Sequence, residues 1–378
     1  MTKKGLRITY LFESTALWGG TKVALEQAEA LSDAGFEVTL LSKDSGPTWY
    51  PLKLPIISVP SFVPDAIPES DVIIGTYWPT VKAAVESQKG LVVHLCQGYE
   101  GDYKELQDRK AEIDEVYSYE IPKLTVSPHL TDFLKSRFRA EAYYVGQMLN
   151  RNVFYPASNR IRDMDPPGFR ILVVGPFEVD FKNIAFTLRG VCLAKRKLGS
   201  TVKLLRVSQF PLTREERVII EPDVYHLQVP HFSMGDIYRS ADLFASMSKE
   251  AEGFGLPALE AMACGVPTLL SRISSYTSFD QPCDYALFLN PEDPEKLAGA
   301  IEDFFQNTPL REKYRQRGLA VSRKFTKEAV VKRLEAAFNE IICMKKTRRV
   351  NRERVNLKRF LNRWERIRQA LRSLGYFR

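Results

Sequence analysis

Sixteen residues in the second half of the chain constrain its fold more than any other stretch: Glu252-Gly253-Phe254-Gly255-Leu256-Pro257-Ala258-Leu259-Glu260-Ala261-Met262-Ala263-Cys264-Gly265-Val266-Pro267. The run before them, 242–247 (DLFASM), is apolar enough to be a buried strand. Pro257 suits a first helical turn, where its missing N–H would be unpaired anyway, and Gly265 suits the position just past a helix end. The stretch therefore predicts a strand end, a glycine-bearing loop and a short helix. Gly253 and Gly255 let backbone come close to whatever sits at the helix mouth. The free N–H groups of that mouth, with their partial positive charge, suit a phosphate. Glu252 and Glu260 bracket it from the loop and from the helix. A buried strand–loop–helix unit with incidental acids is the plainer alternative.

The same alternation runs through the rest of the chain. A strand candidate at Arg7–Phe12 is followed by a loop at 13–20 (ESTALWGG), apolar residues at helical spacing over 21–34, and a second strand at 37–41. Ligands of open parallel sheets sit at the carboxyl ends of strands, so Gly19 and Gly20 either line a site or merely form a tight turn. Further strands are predicted at 55–59, 71–75, 91–96, 124–126 and 142–145, with helices near 78–89, 102–118 and 128–138. His94 falls inside a strand and reads as a packed core residue, whereas Gln97, Tyr99 and Glu100 emerge at the carboxyl end. Residues 150–168 are polar, proline-rich and aperiodic, which marks a linker. Its Asp163-Met164-Asp165 superficially matches a metal-binding D-x-D but reads better as a solvated turn.

The second half repeats the pattern, with strands at 170–174, 202–206, 224–228, 242–247, 267–271 and 285–289. Helices fall near 183–198, 235–240, 257–264, 294–306 and 327–343. Two doubly wound α/β domains with a cleft between them follow. Lys182, soon after a strand ending at Gly175, points to the same cleft; it either neutralises a phosphate or is a surface lysine.

The 378 residues suffice for two domains, each able to bury a core. The apolar run near the N-terminus is too short for a signal peptide, and no stretch has transmembrane length. Five scattered cysteines (Cys96, Cys192, Cys264, Cys283, Cys343) fit reduced thiols in a cytosol, and no Cys/His spacing suits a structural zinc. The net charge of +8 is unevenly placed: residues 345–378 carry +11, and the remainder is close to neutral at −3.

At these residues the chain resembles the family-4 glycosyltransferases, retaining enzymes of the GT-B fold. Glu252 through Glu260 matches their E-x-F-G-L-P-x-x-E signature, with seven residues between the glutamates, and Ala261–Pro267 matches its continuation. Gly19-Gly20, Val126-Ser127, the stretch from Asn150 to Pro156, and Val174-Gly175 followed by Lys182 match as well. The resemblance covers about residues 5–343. It implies that Glu252, Phe254, Gly255 and Leu256 hold the donor sugar, that Glu260 binds the nucleotide ribose, and that Lys182 binds the diphosphate. Gly19 and Gly20 would line the same donor site, with no metal and no cofactor beyond a nucleotide-diphosphate sugar as co-substrate.

Three departures stand out. The family commonly has an arginine after Val-Gly; here it is Pro176, so a positive charge is missing or comes from elsewhere, for example Arg206 or Arg272. Its N-domain histidine is replaced here by Gln97; Gln97, Tyr99 and Glu100 are the candidate acceptor or sugar contacts. The usual Gly-Gly loop reads Ser271-Arg272-Ile273-Ser274-Ser275-Tyr276.

The organisation expected is an acceptor-side Rossmann-like domain over 1–149, a linker over 150–168, a donor-side Rossmann-like domain over 169–325, a closing helix over 326–343 and a basic amphipathic tail over 344–378. Apolar residues of the tail at Val350, Leu357, Phe360, Leu361, Trp364, Ile367, Leu371 and Leu374 form a helical stripe. That stripe suits an anionic membrane surface, the protein's own body or a second copy, and no base-reading fold accompanies it. The chain is thus expected to be a cytoplasmic retaining glycosyltransferase, peripheral at the inner membrane face, acting on a glycan or lipid-linked acceptor in cell-surface polysaccharide synthesis. The alternatives are a GT-B epimerase or phosphorylase, or a catalytically degenerate sugar-nucleotide-binding subunit.

Overall fold

Short runs of apolar residues, buried on both faces, make two all-parallel sheets. In the computed structural model, which describes residues 5–157 and 167–344, the first sheet has seven strands. They are β1 (Arg7–Phe12), β2 (Glu37–Ser42), β3 (Ile56–Ser58), β4 (Val72–Gly75), β5 (Leu91–Cys96), β6 (Lys123–Thr125) and β7 (Ala142–Tyr144), in the order β3-β2-β1-β4-β5-β6-β7. The second has six: β8 (Phe169–Val174), β9 (Val202–Ser208), β10 (Val224–Leu227), β11 (Leu243–Ser246), β12 (Thr268–Ser271) and β13 (Leu287–Leu289), in the order β10-β9-β8-β11-β12-β13. Strand direction of travel reverses between β1 and β4 in one lobe and between β8 and β11 in the other. Such switch points leave a crevice at the carboxyl ends of the strands. The chain has the GT-B fold, two Rossmann-like lobes with a cavity between them.

Two helices packed against each other cover one face of the C-terminal sheet. In the C-terminal lobe Ile171, Val173, Leu204, Leu243 and Ala245 pack against Leu188 and Val191 of helix Ile184–Leu198 and Leu297 and Ile301 of helix Pro294–Gln306. The latter helix starts as expected, with Asp293 accepting from the Glu295 N–H at 2.8 Å. His94 is fully buried in the N-terminal lobe, edge-on to Tyr117 at 4.8 Å, and burial pushes it down to about 3.

Two local expectations change. Gly19 and Gly20 are not a loop but the first turn of helix Gly19–Asp33. Helix Thr308–Ser322 was not expected, because its charge-rich sequence shows no apolar stripe; its start is marked by Asn307, which accepts from the Leu310 N–H at 3.0 Å.

The two sheets lie in one compact unit, residues 3–333. The chain is helical over 327–344, and from Leu334 it belongs to a second unit. Within the first unit this helix starts against the N-terminal lobe, where Arg333 stacks over the Tyr144 ring at 4.9 Å and Lys327 pairs with Asp33. The Asp163-Met164-Asp165 turn and the basic tail 345–378 lie outside the described residues. Among those described, no helix is long and apolar enough to cross a membrane.

Candidate functional site

The site grows from the carboxyl end of β11. Helix Leu256–Ala263 has Pro257 in its first turn and Gly255 as its N-cap at φ 90°. A side chain at residue 255 would be strained at that angle and would overlap the Tyr276 ring, so glycine is required. The Tyr276 hydroxyl hydrogen-bonds with Ser246 and Ser248 at 2.7 and 3.1 Å, which holds that ring under the loop.

Both glutamates of the signature point inward and both are paired with a lysine. Glu252 is 6% exposed; its Oε2 accepts from Lys182 Nζ at 2.7 Å and from Ser248 Oγ at 3.1 Å. Lys182 arrives from the short helical turn Asp180–Lys182 that follows β8. Glu260 is equally buried; it accepts from the Tyr238 hydroxyl at 2.8 Å and from Lys22 Nζ at 2.5 Å. Lys22 belongs to helix Gly19–Asp33 of the other lobe, 238 residues away in sequence.

These groups border a cavity of about 690 Å³ between the lobes, within the roughly 300–1,000 Å³ of small-molecule sites. Gly19, Gly20, Gln97, Glu100, Lys182, Glu252, Phe254, Gly255, Leu256 and Glu260 all lie on its wall, as does Pro176. Crowding is slight at Gly19 and falls on a side chain that can shift at Gly20. A Cβ on Gly19 would stand 3.6 Å from Leu256 Cδ1, and one on Gly20 would stand 3.2 Å from Gln97 Nε2.

The lobes touch around this cavity. Ser127 Oγ donates to the Gly253 carbonyl at 3.1 Å, the His231 N–H to the Trp49 carbonyl at 3.2 Å, and the Asp180 N–H to Glu105 at 3.0 Å. Tyr103 stacks on Phe181 at 4.8 Å, and Trp18 meets Phe210 edge-on at 6.0 Å.

Three expected contacts are corrected. Arg206, on β9, is 1% exposed; its Nε donates to Glu216 at 2.9 Å and its Nη1 to the Val207 carbonyl at 2.6 Å, and it is not on the cavity wall. Arg272 is exposed and lies over the Phe288 ring at 5.3 Å, also off the wall. Tyr99 faces the lobe interior: its hydroxyl bonds Asp114, Lys110 and Arg137, with the Arg137 guanidinium 4.7 Å above its ring. The cation that the sequence reading missed is Lys22. Among the described wall residues, the lysine and arginine side chains are Lys22 and Lys182.

Burial sets the electrostatics of the N-terminal side. It would lower the Lys22 ammonium, but the charges of Glu260 and Glu26 outweigh it and hold the group above its ordinary value. Glu26 sits 3.9 Å from Lys22 and 3.8 Å from His231, with no hydrogen bond to either carboxylate oxygen, and burial raises it to about 7. Burial likewise raises Glu100 to about 7, and the bond from the Tyr117 hydroxyl offsets part of that rise.

The folded chain therefore keeps a proton on Glu100 that the unfolded chain releases near its ordinary value of 4.5. The stability this proton supplies is lost as pH rises from about 4.5 through about 7. Glu100→Gln does not titrate. Its melting midpoint relative to the parent should rise between about pH 5 and pH 8, and a constant difference across that range would contradict the assignment.

Among the described residues no group of three or more His, Cys, Asp and Glu side chains is arranged to hold a metal ion.

Residues 221–321 match the profile of the family described as glycosyl transferases group 1. The chain is 36% identical over 100 residues to the O-antigen chain mannosyltransferase B of Escherichia coli, which is 26% of each chain. It is 27% identical over 207 residues to the MMP alpha-(1->4)-mannosyltransferase of Mycolicibacterium hassiacum, 53% of this chain and 47% of that one. The matched stretch thus spans between a quarter and a half of these relatives. In structure it is similar to HepE of Anabaena, solved in complex with UDP-glucose, with a TM-score of 0.73 at 12% identity over 89% of this chain and all of that one.

Proposed function

We propose that this chain, whose residues 221–321 match the glycosyl transferases group 1 family, transfers a sugar, with retention, from a nucleotide-diphosphate donor to a glycan or lipid-linked acceptor of cell-surface polysaccharide synthesis. The observation that carries this reading is the pair of buried glutamates, Glu252 and Glu260, at the mouth of one helix on the wall of one cavity. Carboxylates accept two hydroxyls at a time, which suits sugar at Glu252 and ribose at Glu260. The diphosphate between them meets the helix N-terminus and the Lys182 ammonium. Stabilising the charge that develops on a leaving diphosphate is the main demand of this chemistry, and Lys182 can meet it without a metal ion.

The acceptor enters from the N-terminal side, past Gln97 and Glu100. The O-antigen chain mannosyltransferase among its relatives supports a glycan acceptor, and the UDP-glucose complex of HepE supports the donor class. The basic tail 345–378 would bring the enzyme to an anionic membrane from the cytoplasmic side.

A panel of nucleoside diphosphates and their sugars, read by thermal shift, tests the proposal. A ligand at roughly 100 times its Kd should add about 2.7 kcal/mol to stability. No shift with any of them would overturn it.

A further inference from the structure

The ion pair between Lys22 and Glu260 crosses from one lobe to the other, and nothing in the proposed chemistry requires it. Lys22 stands on the first turn of helix Gly19–Asp33, two residues past Gly20, and is buried. Its ammonium lies 4.7 Å above the Phe154 ring, within reach of two carboxylates. It bonds Glu260 at 2.5 Å and stays 3.9 Å from Glu26, although both Glu26 oxygens are free of hydrogen bonds. The preference is thus for the carboxylate of the opposite lobe.

The consequence lies at Glu260. A carboxylate has about four lone-pair directions. Lys22 takes one on Oε1 and Tyr238 one on Oε2, which fixes the plane of the group and leaves the remaining directions for a ligand. Tyr238 and Glu260 share a lobe, so their bond persists whatever the other lobe does. The Lys22 bond exists only while the lobes are together.

We infer that Lys22 is a positioning residue for the donor's ribose, fixing the Glu260 carboxylate from across the cleft and so tying ribose recognition to closure. This rests on the reading of Glu260 as the ribose ligand. Lys22 touches no reacting atom. It turns a carboxylate that could rotate or take up water into one set to receive a diol, a gain of preorganisation rather than of contacts.

The test compares UDP, GDP and ADP with their 2′,3′-dideoxy counterparts, by titration calorimetry on the parent, Lys22→Met, Glu260→Gln and the double variant. Hydrogen bonds to a charged group make the parent prefer the hydroxylated form by roughly tenfold to a hundredfold. Lys22→Met should lower that preference to about threefold or less while binding the deoxy form as the parent does, which also shows that it is folded. The double variant should discriminate no worse than Glu260→Gln alone, since the two residues act as one unit. If Lys22→Met keeps the parental preference, or weakens both forms alike, the inference is overturned. Should Glu260→Gln itself keep the preference, the ribose reading fails first and this inference falls with it.

Discussion

A Glu252→Ala variant should transfer sugar roughly a hundredfold to a thousandfold more slowly than the parent, the scale of removing a preorganised group at a reacting centre. Glu252 is buried at the loop start, and Lys182 and Ser248 both donate to its Oε2, which leaves Oε1 for a sugar hydroxyl. Truncation removes that acceptor and also frees Lys182 from the carboxylate that pairs with it at 2.7 Å. The ammonium would then bind the ground-state diphosphate more tightly without orienting the sugar. The loss should therefore fall on kcat, with KM for the donor unchanged or lower. Initial rates with labelled donor at saturating acceptor measure both. Turnover near the parental rate would remove Glu252 from the machinery, whatever the nucleotide panel shows.

Gly253→Ala should cost at least a hundredfold in kcat, by a different route, since a misplacement of about 1 Å between reacting parts has that effect. A Cβ on Gly253 would run into the carbonyl oxygen of Gln97 and approach Gly98 Cα at 3.1 Å, both backbone atoms of the other lobe. Backbone cannot swing aside as a side chain can, so the lobes must part, and the Ser127 bond to the Gly253 carbonyl goes with them. Nucleotide affinity, which depends mostly on the C-terminal lobe, should fall far less than kcat. Small-angle scattering should show a larger radius of gyration. An unchanged rate would mean that the lobes tolerate a wider gap during turnover.

Much of this fold was legible because parallel strands buried on both faces read as nearly continuous apolar runs: Arg7–Phe12 and Leu91–Cys96 end where their sequences stop being apolar. The helix mouth was legible for a similar reason, since Pro257 and the two glycines have few other uses. What escaped notice depends on pairings that no local pattern records. Lys22 and Glu26, one turn apart, look like a solvated face, and they are buried because the other lobe covers them. Arg206 looked available as a cation, but its partner Glu216 sits in helix Arg214–Ile219, which was not expected. Tyr99 follows a strand by three residues, yet the backbone turns its ring inward to Phe133 and Phe138.

The edge-on contact between Trp18 and Phe210 gives the molecule an optical signal of its own. Trp18 is 44% exposed and caps the helix that carries the glycine pair, while Phe210 follows β9 of the opposite lobe. Drawing the lobes apart would strip the indole edge of its aromatic neighbour and surround it with water, moving its emission to the red. Stopped-flow fluorescence could then time the opening of the cleft and the release of product within one turnover, with no dye attached.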